Sequence, residues 1–336
     1  MKRCLSAALL LTIVVLFLSA CGKKQDDTVK VTRTSLYTIV SMTVVAKDEP
    51  KAQQAIEKAF KELDRLGQLL NFYAEDSELS AINRNAGIEP VKVSPETFEV
   101  IEKAVYTSEL TEGAFDVTVG PLVRLWDFKK GVIPEKSAID ENMKRVGYKN
   151  IVLDKPDATV YLKTSGAQID LGGILKGYAA DRAARILQDS GFTSGIVTVG
   201  GEVRAFGRKP DGSPWVIGIQ NPRQKGQTDE VIATIPVSDK SLSTSGDYIR
   251  FFEKDGIRYH HLLNPATGYP ADRCGSVTIV AKDGITADGF SKIFILGPEK
   301  GLAVAKKAGF DALFIDCNGK ILMSDGLQSI IRLHKN

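Results

Sequence analysis

Histidine and cysteine are scarce: three histidines (His260, His261 and His334) and four cysteines stand among 336 residues. No Cys-x-x-Cys pair and no Cys/His spacing of a structural zinc site occurs, which excludes a fold organised around that metal. A Walker A loop is missing, and no G-x-G-x-x-G run follows a candidate strand, so the two familiar glycine signatures of nucleotide binding are absent. Neither sign of charge is in large excess, with 44 lysines and arginines against 41 aspartates and glutamates. That balance points away from nucleic acid. There is no internal repeat, no low-complexity tract and no linker beyond residue 30.

What is present begins with an export-like segment. Lys2 and Arg3 precede an apolar run from about Leu9 to Leu18, too short for a membrane span. The run closes on Leu18-Ser19-Ala20-Cys21-Gly22, similar to the lipobox of bacterial lipoproteins, in which the cysteine is lipidated. The expected organisation is a signal peptide over 1–20, a polar tether over 21–30 carrying lipid on Cys21, and one large domain over 31–336, held at a membrane on its extracytoplasmic side. Loss of the leader lowers the formal charge from +3 to about +1. Cys274 and Cys317 then remain inside the fold, as one disulfide or as two separate thiols.

Alternation of β-branched and polar residues from Val31 to Ala46 predicts one or two strands. Ile56, Phe60, Leu63, Leu66 and Leu70, at spacings of three and four, predict an amphipathic helix over 51–70. Ser94-Pro95-Glu96 starts a second helix that runs to about Thr111. Short strands dominate from residue 195 to 263, and the chain ends in a strand, two helices and a hairpin at Asn318-Gly319. Strands and helices come in blocks without regular alternation, which predicts an α+β fold with a mixed or antiparallel sheet and packed helices.

The stretch Asp170-Leu-Gly-Gly-Ile-Leu-Lys-Gly-Tyr-Ala-Ala-Asp181 reads as a strand end, a glycine turn and a helix start. Gly172 and Gly173 are expected at positive φ, with helix N–H groups and Lys176 facing an anion. Gly200-Gly201 and Gly246 supply further glycine turns, which a β-rich chain needs for its hairpins in any case. His260 and His261 are neighbours on a strand and point to opposite faces, so at most one serves a given site. Asp288, Ser291 and Lys292 fall at i, i+3 and i+4 of a helix. The carboxylate and hydroxyl suit a hard cation, while the aspartate and lysine suit a surface ion pair, the reading that spacing alone favours.

Taken together, these pieces resemble the ApbE family of FAD:protein FMN transferases. The resemblance rests on Ser41-Met42-Thr43, FYAEDSELS over 72–80, GAFD over 113–116 and the stretch 170–181. It continues in VGGEV over 199–203, STSGDY over 243–248, HLLNPATG over 261–268 and ADGFSK over 287–292. It implies an α+β fold of the T-fold kind that binds FAD with Mg²⁺ and transfers FMN to a threonine hydroxyl of an acceptor protein, releasing AMP. The acceptors it implies are flavin subunits of sodium-pumping NADH:quinone reductases and Rnf-type electron-transport complexes. By position it makes Met42, Tyr73, Ala114, Phe115, Asp116, Asp170, Lys176 and Leu263 flavin contacts. Gly173, Asp288, Ser291 and Lys292 fall in its metal region, and His261 becomes the catalytic histidine. Lys292 departs from the family's usual hydroxyl there, and a protonated lysine cannot ligate Mg²⁺. Asn264 and Glu202 are milder departures, each standing where aspartate is frequent. A Mg²⁺-dependent FAD pyrophosphatase and a non-catalytic flavin-binding lipoprotein are the other activities compatible with the same residues.

Overall fold

Paired strands come first, because Thr28–Ser35 (β1) and Thr38–Val45 (β2) carry the alternating pattern that a half-buried ribbon needs. They turn through Leu36 and Tyr37, both left-handed at φ 50° and 58°. The computed structural model describes residues 27–223 and 230–334; the expected leader, the expected lipidation site at Cys21 and the start of the expected tether lie outside the described residues.

Six more strands continue the same sheet: Gly195–Val199 (β3), Glu202–Phe206 (β4), Ser241–Gly246 (β5), Ser276–Ala281 (β6), Asp311–Ile315 (β7) and Ile321–Met323 (β8). They lie in sequence order across the sheet, and every neighbouring pair is antiparallel. The fold is α+β, and the sheet takes the antiparallel of the two arrangements expected. Its architecture is a meander with long excursions, and the candidate site is built from those excursions.

The first excursion, between β2 and β3, contains helices Glu49–Leu69 (α1), Pro95–Leu110 (α2) and Leu175–Asp189 (α3). Asp48 and Ser94 cap the first two by accepting from Lys51 and Thr97 backbone N–H groups at 3.0 and 3.3 Å. The helical stripe of α1 buries Ile56, Phe60, Leu63 and Leu66 in one core with Val40, Met42 and Val44 of β2 and Ala179, Ala183 and Leu187 of α3. A later helix, Gly284–Phe290 (α4), is capped by Asp283, whose side chain accepts from Thr286 N–H at 3.0 Å.

One expectation needs correction, and one open choice is decided. The segment 243–248, read as a glycine turn, is for the most part β5 in the interior of the sheet. Its polar residues hid this, since Ser241, Ser243 and Ser245 are all buried. Thr244 and Ser245 each find a hydroxyl partner at 2.8 Å, on Thr278 and Ser291. The two cysteines are separate thiols: Cys274 is buried and donates to the Ser276 carbonyl, while Cys317 is exposed.

Candidate active site

The approach of α3 to α4 sets the geometry. A Cβ on Gly177 would lie 2.0 Å from the Gly284 carbonyl oxygen, so only glycine permits this crossing. Contact at that distance brings Asp288 of α4 to the first turn of α3, where its Oδ2 accepts from Gly177 N–H at 3.0 Å. The helix N-terminus expected to face a ligand anion therefore already holds a carboxylate of this chain. Asp181, one turn further along α3, ties the same helices together by accepting from Gly284 and Ile285 N–H at 2.7 and 2.9 Å. Burial pushes its carboxyl up to about 6 against those hydrogen bonds.

Asp288 is fully buried and bears two ammonium groups. Lys292 Nζ donates to Asp288 Oδ1 at 2.8 Å, to the Asp288 carbonyl at 3.0 Å and to Ser291 Oγ at 2.9 Å. Lys176 Nζ stands 4.0 Å from Asp288 Oδ1 and contacts the Glu202 carboxylate. Burial alone would raise the Asp288 carboxyl, but Lys176 and Lys292 hold it below its ordinary value. Burial pulls Lys176 down to about 8, opposed by Asp288 and aided by Lys292 and Arg250. The ion pair expected from spacing is thus real but buried, a setting in which its charges are far less screened than at a surface.

Gly172 and Gly173 do not adopt positive φ. Gly172 N–H donates to Asp170 Oδ1 at 2.8 Å, and Gly173 supplies space, since a Cβ there would meet Lys292 Cε at 3.0 Å and Phe115 Cε2 at 3.2 Å. Asp170 is raised by burial, with the Gly172 hydrogen bond and Arg124 opposing.

The two adjacent histidines have different surroundings, and only His260 lies on a strand. His260 ends the strand Ile257–His260, and its ring bonds to the Ala271 carbonyl at 2.6 Å while its Nδ1 accepts from Leu262 N–H at 3.3 Å. His261 lies just past the strand end, and its Nδ1 is buried without a hydrogen-bond partner among the described residues. Burial first, then Arg250, lowers the imidazole to about 3, with Lys292 adding to the effect. The loop after the pair is fastened by Trp126, whose Nε1 donates to the Gly268 carbonyl at 3.1 Å. Asn264 keeps the turn by accepting from Ala266 N–H at 2.9 Å, so the amide serves where a carboxylate is frequent.

A cleft of about 620 Å³ lies beside these groups, lined by Phe72, Tyr73, Asn83, Arg124 and Gln168 among others. Tyr73 is 72% exposed, and the Arg124 guanidinium sits 4.3 Å from the Phe72 ring centroid. Asn83 joins the cleft to Asp170 by bonding both the N–H and the carbonyl of Ile169, at 2.7 and 3.0 Å. Tyr73, Asp170, Lys176, His261, Asp288 and Lys292 form one connected electrostatic neighbourhood, with Arg250 acting on Tyr73, Lys176 and His261.

Other residues named from the sequence have different surroundings. Met42 is wholly buried in the main core, as are most of Ala114 and Phe115 in theirs. Asp116 spends its carboxylate on Thr118 N–H and Oγ1, at 2.8 and 2.6 Å, and on Tyr148 N–H at 2.9 Å, which makes it a brace for the loop. Leu263 packs in a small cluster with Leu122, Trp126 and Ile139. Sequence reasoning passed over Arg124, Arg250, Asn83 and Gly177. Only Gly177 carried a local signal, as a third glycine in the stretch 170–181.

Comparisons with known proteins place the chain among relatives. The ApbE family model matches residues 36–314. This chain belongs to the ApbE family. Curated relatives named FAD:protein FMN transferase include one from Vibrio cholerae, 37% identical over 264 residues (76% of this chain and 78% of the relative), and one from Haemophilus influenzae, 33% identical over 320 residues (91% of each). Among solved structures, the ApbE protein of Thermotoga maritima superposes with a TM-score of 0.82 at 36% identity, covering 91% of this chain and 99% of that one. The flavin transferase ApbE of Vibrio cholerae gives 0.80 at 31%, with the same coverage.

One expectation about this ApbE chain does not fit. A magnesium ion between α3 and α4 would draw on the oxygens of Asp288 and Ser291. Three of them are taken up by the three N–H donors of Lys292. Among the described residues no group of three or more His, Cys, Asp or Glu is arranged to hold a metal. Lys292, placed with the metal region by position, is a competitor for that region's oxygens.

Proposed function

We propose that this ApbE chain is an FAD:protein FMN transferase, and the observation that carries the reading is the buried, unpartnered Nδ1 of His261 beside a cluster of cations. The names of the curated relatives support it. The cleft lined by Phe72, Tyr73 and Arg124 takes the flavin nucleotide, and its pyrophosphate lies toward Lys176, Lys292 and Arg250. Those cations offset the charge that builds on phosphorus. A threonine hydroxyl of the acceptor attacks the FMN-side phosphorus, and its proton passes to His261. A P–O bond to the second phosphate breaks, AMP departs with the proton, and the acceptor keeps FMN as a phosphodiester. The threonine belongs to a flavin subunit of a membrane electron-transport complex, reached by a chain held at the extracytoplasmic membrane face through lipid on Cys21.

The test is incubation of the mature protein with FAD and an acceptor domain, read by flavin fluorescence of the denatured acceptor and by the mass of an added FMN. Release of free FMN without acceptor labelling would replace transferase with pyrophosphatase. The imidazole adds a pH expectation. His261 must be neutral to accept a proton, and in the free protein it is neutral above about pH 3. The kcat/KM profile is therefore expected to show no histidine limb near the ordinary value of about 6.5. A limb centred there, removed by His261→Ala, would contradict the environment described for this side chain.

A further inference from the structure

The Lys292 ammonium sits in a cage of oxygens of the kind a hard cation would choose. Its acceptors are a fully buried carboxylate oxygen, a main-chain carbonyl and a hydroxyl, at 2.8, 3.0 and 2.9 Å. Its side chain is 14% exposed, and its stem runs past Gly173, where a Cβ would stand 3.0 Å from Cε. Ser291 is itself fixed, donating to the Asp288 carbonyl at 2.7 Å and bonding Ser245 of β5 at 2.8 Å. The cage oxygens all come from the one turn Asp288 to Ser291, which Ser245 of β5 holds in place, and the absence of a side chain on Gly173 leaves the path open.

Charge leads to the same place. Lys292 pairs with Asp288 and Lys176 contacts Glu202, and the Arg250 guanidinium adds a further positive charge that acts on Lys176 and His261. A divalent ion seeking Asp288 would have to displace an ammonium into a region already rich in cations. We propose that Lys292 is the resident cation of this site, so that the chain handles the FAD pyrophosphate with fixed ammonium groups in place of a divalent metal. The proposal rests on the transferase reading for its phosphate chemistry, but the state of the cage can be measured without any turnover.

The experiment titrates purified protein with Mn²⁺, followed by electron paramagnetic resonance, and measures FAD affinity by flavin fluorescence with and without EDTA. Expected for the native chain is no stoichiometric Mn²⁺ binding below millimolar concentration and an FAD affinity unchanged by EDTA. Lys292→Thr removes the ammonium and offers a hydroxyl oxygen. It is expected to tighten Mn²⁺ binding at least tenfold and to make FAD binding respond to the metal. Lys292→Met removes the charge without adding an oxygen and separates loss of competition from gain of a ligand. Thermal melts of both variants establish that they fold. Tight Mn²⁺ binding by the native chain, or an FAD affinity that collapses in EDTA, would overturn the proposal even if neither variant folds. So would superimposable Mn²⁺ titrations of native and Lys292→Thr protein. Acceptor labelling is scored separately: if it fails under every condition while the Mn²⁺ and EDTA results hold, the transferase reading falls and the resident cation stands.

Discussion

His261→Ala is expected to reduce acceptor flavinylation by roughly 10² to 10⁴-fold, the usual worth of a positioned general base, while leaving FAD affinity within a fewfold of native. The expectation comes from the division of labour between the two histidines. His260 is bonded through both ring nitrogens and stacks edge-on against Phe294 at 5.6 Å, which accounts for it structurally. His261 leaves a buried nitrogen unpaired, and such a group costs on the order of 1–3 kcal/mol unless a ligand completes it. Trp215 Nε1, Ser241 Oγ, Ser243 Oγ and Thr286 Oγ1 are unpartnered too among the described residues, but of these groups only His261 lies beside Arg250 and Lys292. The single-turnover rate of label transfer and the FAD dissociation constant measure the two quantities separately. Equal losses in both would mean that His261 shapes the site without taking the proton.

The second large effect concerns stability. Gly177→Ala places a methyl 2.0 Å from the Gly284 carbonyl oxygen and 2.7 Å from Asp288 Cβ, neither of which can yield without moving a helix. A cost of about 3 kcal/mol is expected, at the high end for overpacking. At roughly 2 °C per kcal/mol for a chain of this size, the melting temperature should fall by about 6 °C. FAD binding should fall with it, because Gly177 N–H orients Asp288 and Asp288 anchors both ammonium groups. Gly284→Ala meets the Gly177 carbonyl at 2.4 Å and should behave alike, with the double substitution costing less than the sum. A melting temperature within a degree of native for either variant would show that the two helices slide freely.

How much of this was legible in the residues depends on the kind of signal. Helical periodicity and caps were local, so α1 and α2 appear where Ile56 to Leu70 and Ser94-Pro95 place them. The hairpin turns at Gly200-Gly201, Asp255-Gly256 and Asn318-Gly319 are likewise present, with these glycines at positive φ. β5 was missed because a sheet-interior strand of serine and threonine is stabilised by hydroxyl partners on other segments, which no window of sequence contains. Gly172 and Gly173 were assigned the wrong reason: glycine serves here as room for Lys292 and as a donor to Asp170, with ordinary backbone angles. The choice of Lys292 over a hydroxyl was visible as a departure, but only the meeting of α4 with Gly173 and Ser245 shows what the ammonium does. Arg250 and Arg124 carried no pattern at all, since their importance lies in what the folded chain brings near them.

The meander described above also has a kinetic side. Its seam between β2 and β3 pairs Val44 with Gly195, residues about 150 positions apart, whereas most other seams join segments much closer in the chain. Closing a flexible loop of that length costs about 4 kcal/mol of chain entropy beyond the constant term. The hairpin β3–β4 and the C-terminal strands can therefore pair early, and β1–β2 must wait for the first excursion to condense around α1 and α3. Gly177 and Asp288 are 111 positions apart and Lys176 and Glu202 only 26, so both contacts close shorter loops than that seam and lie wholly C-terminal to β2. The cation cluster can therefore assemble before β1–β2 docks, and the capacity to engage a pyrophosphate precedes completion of the sheet.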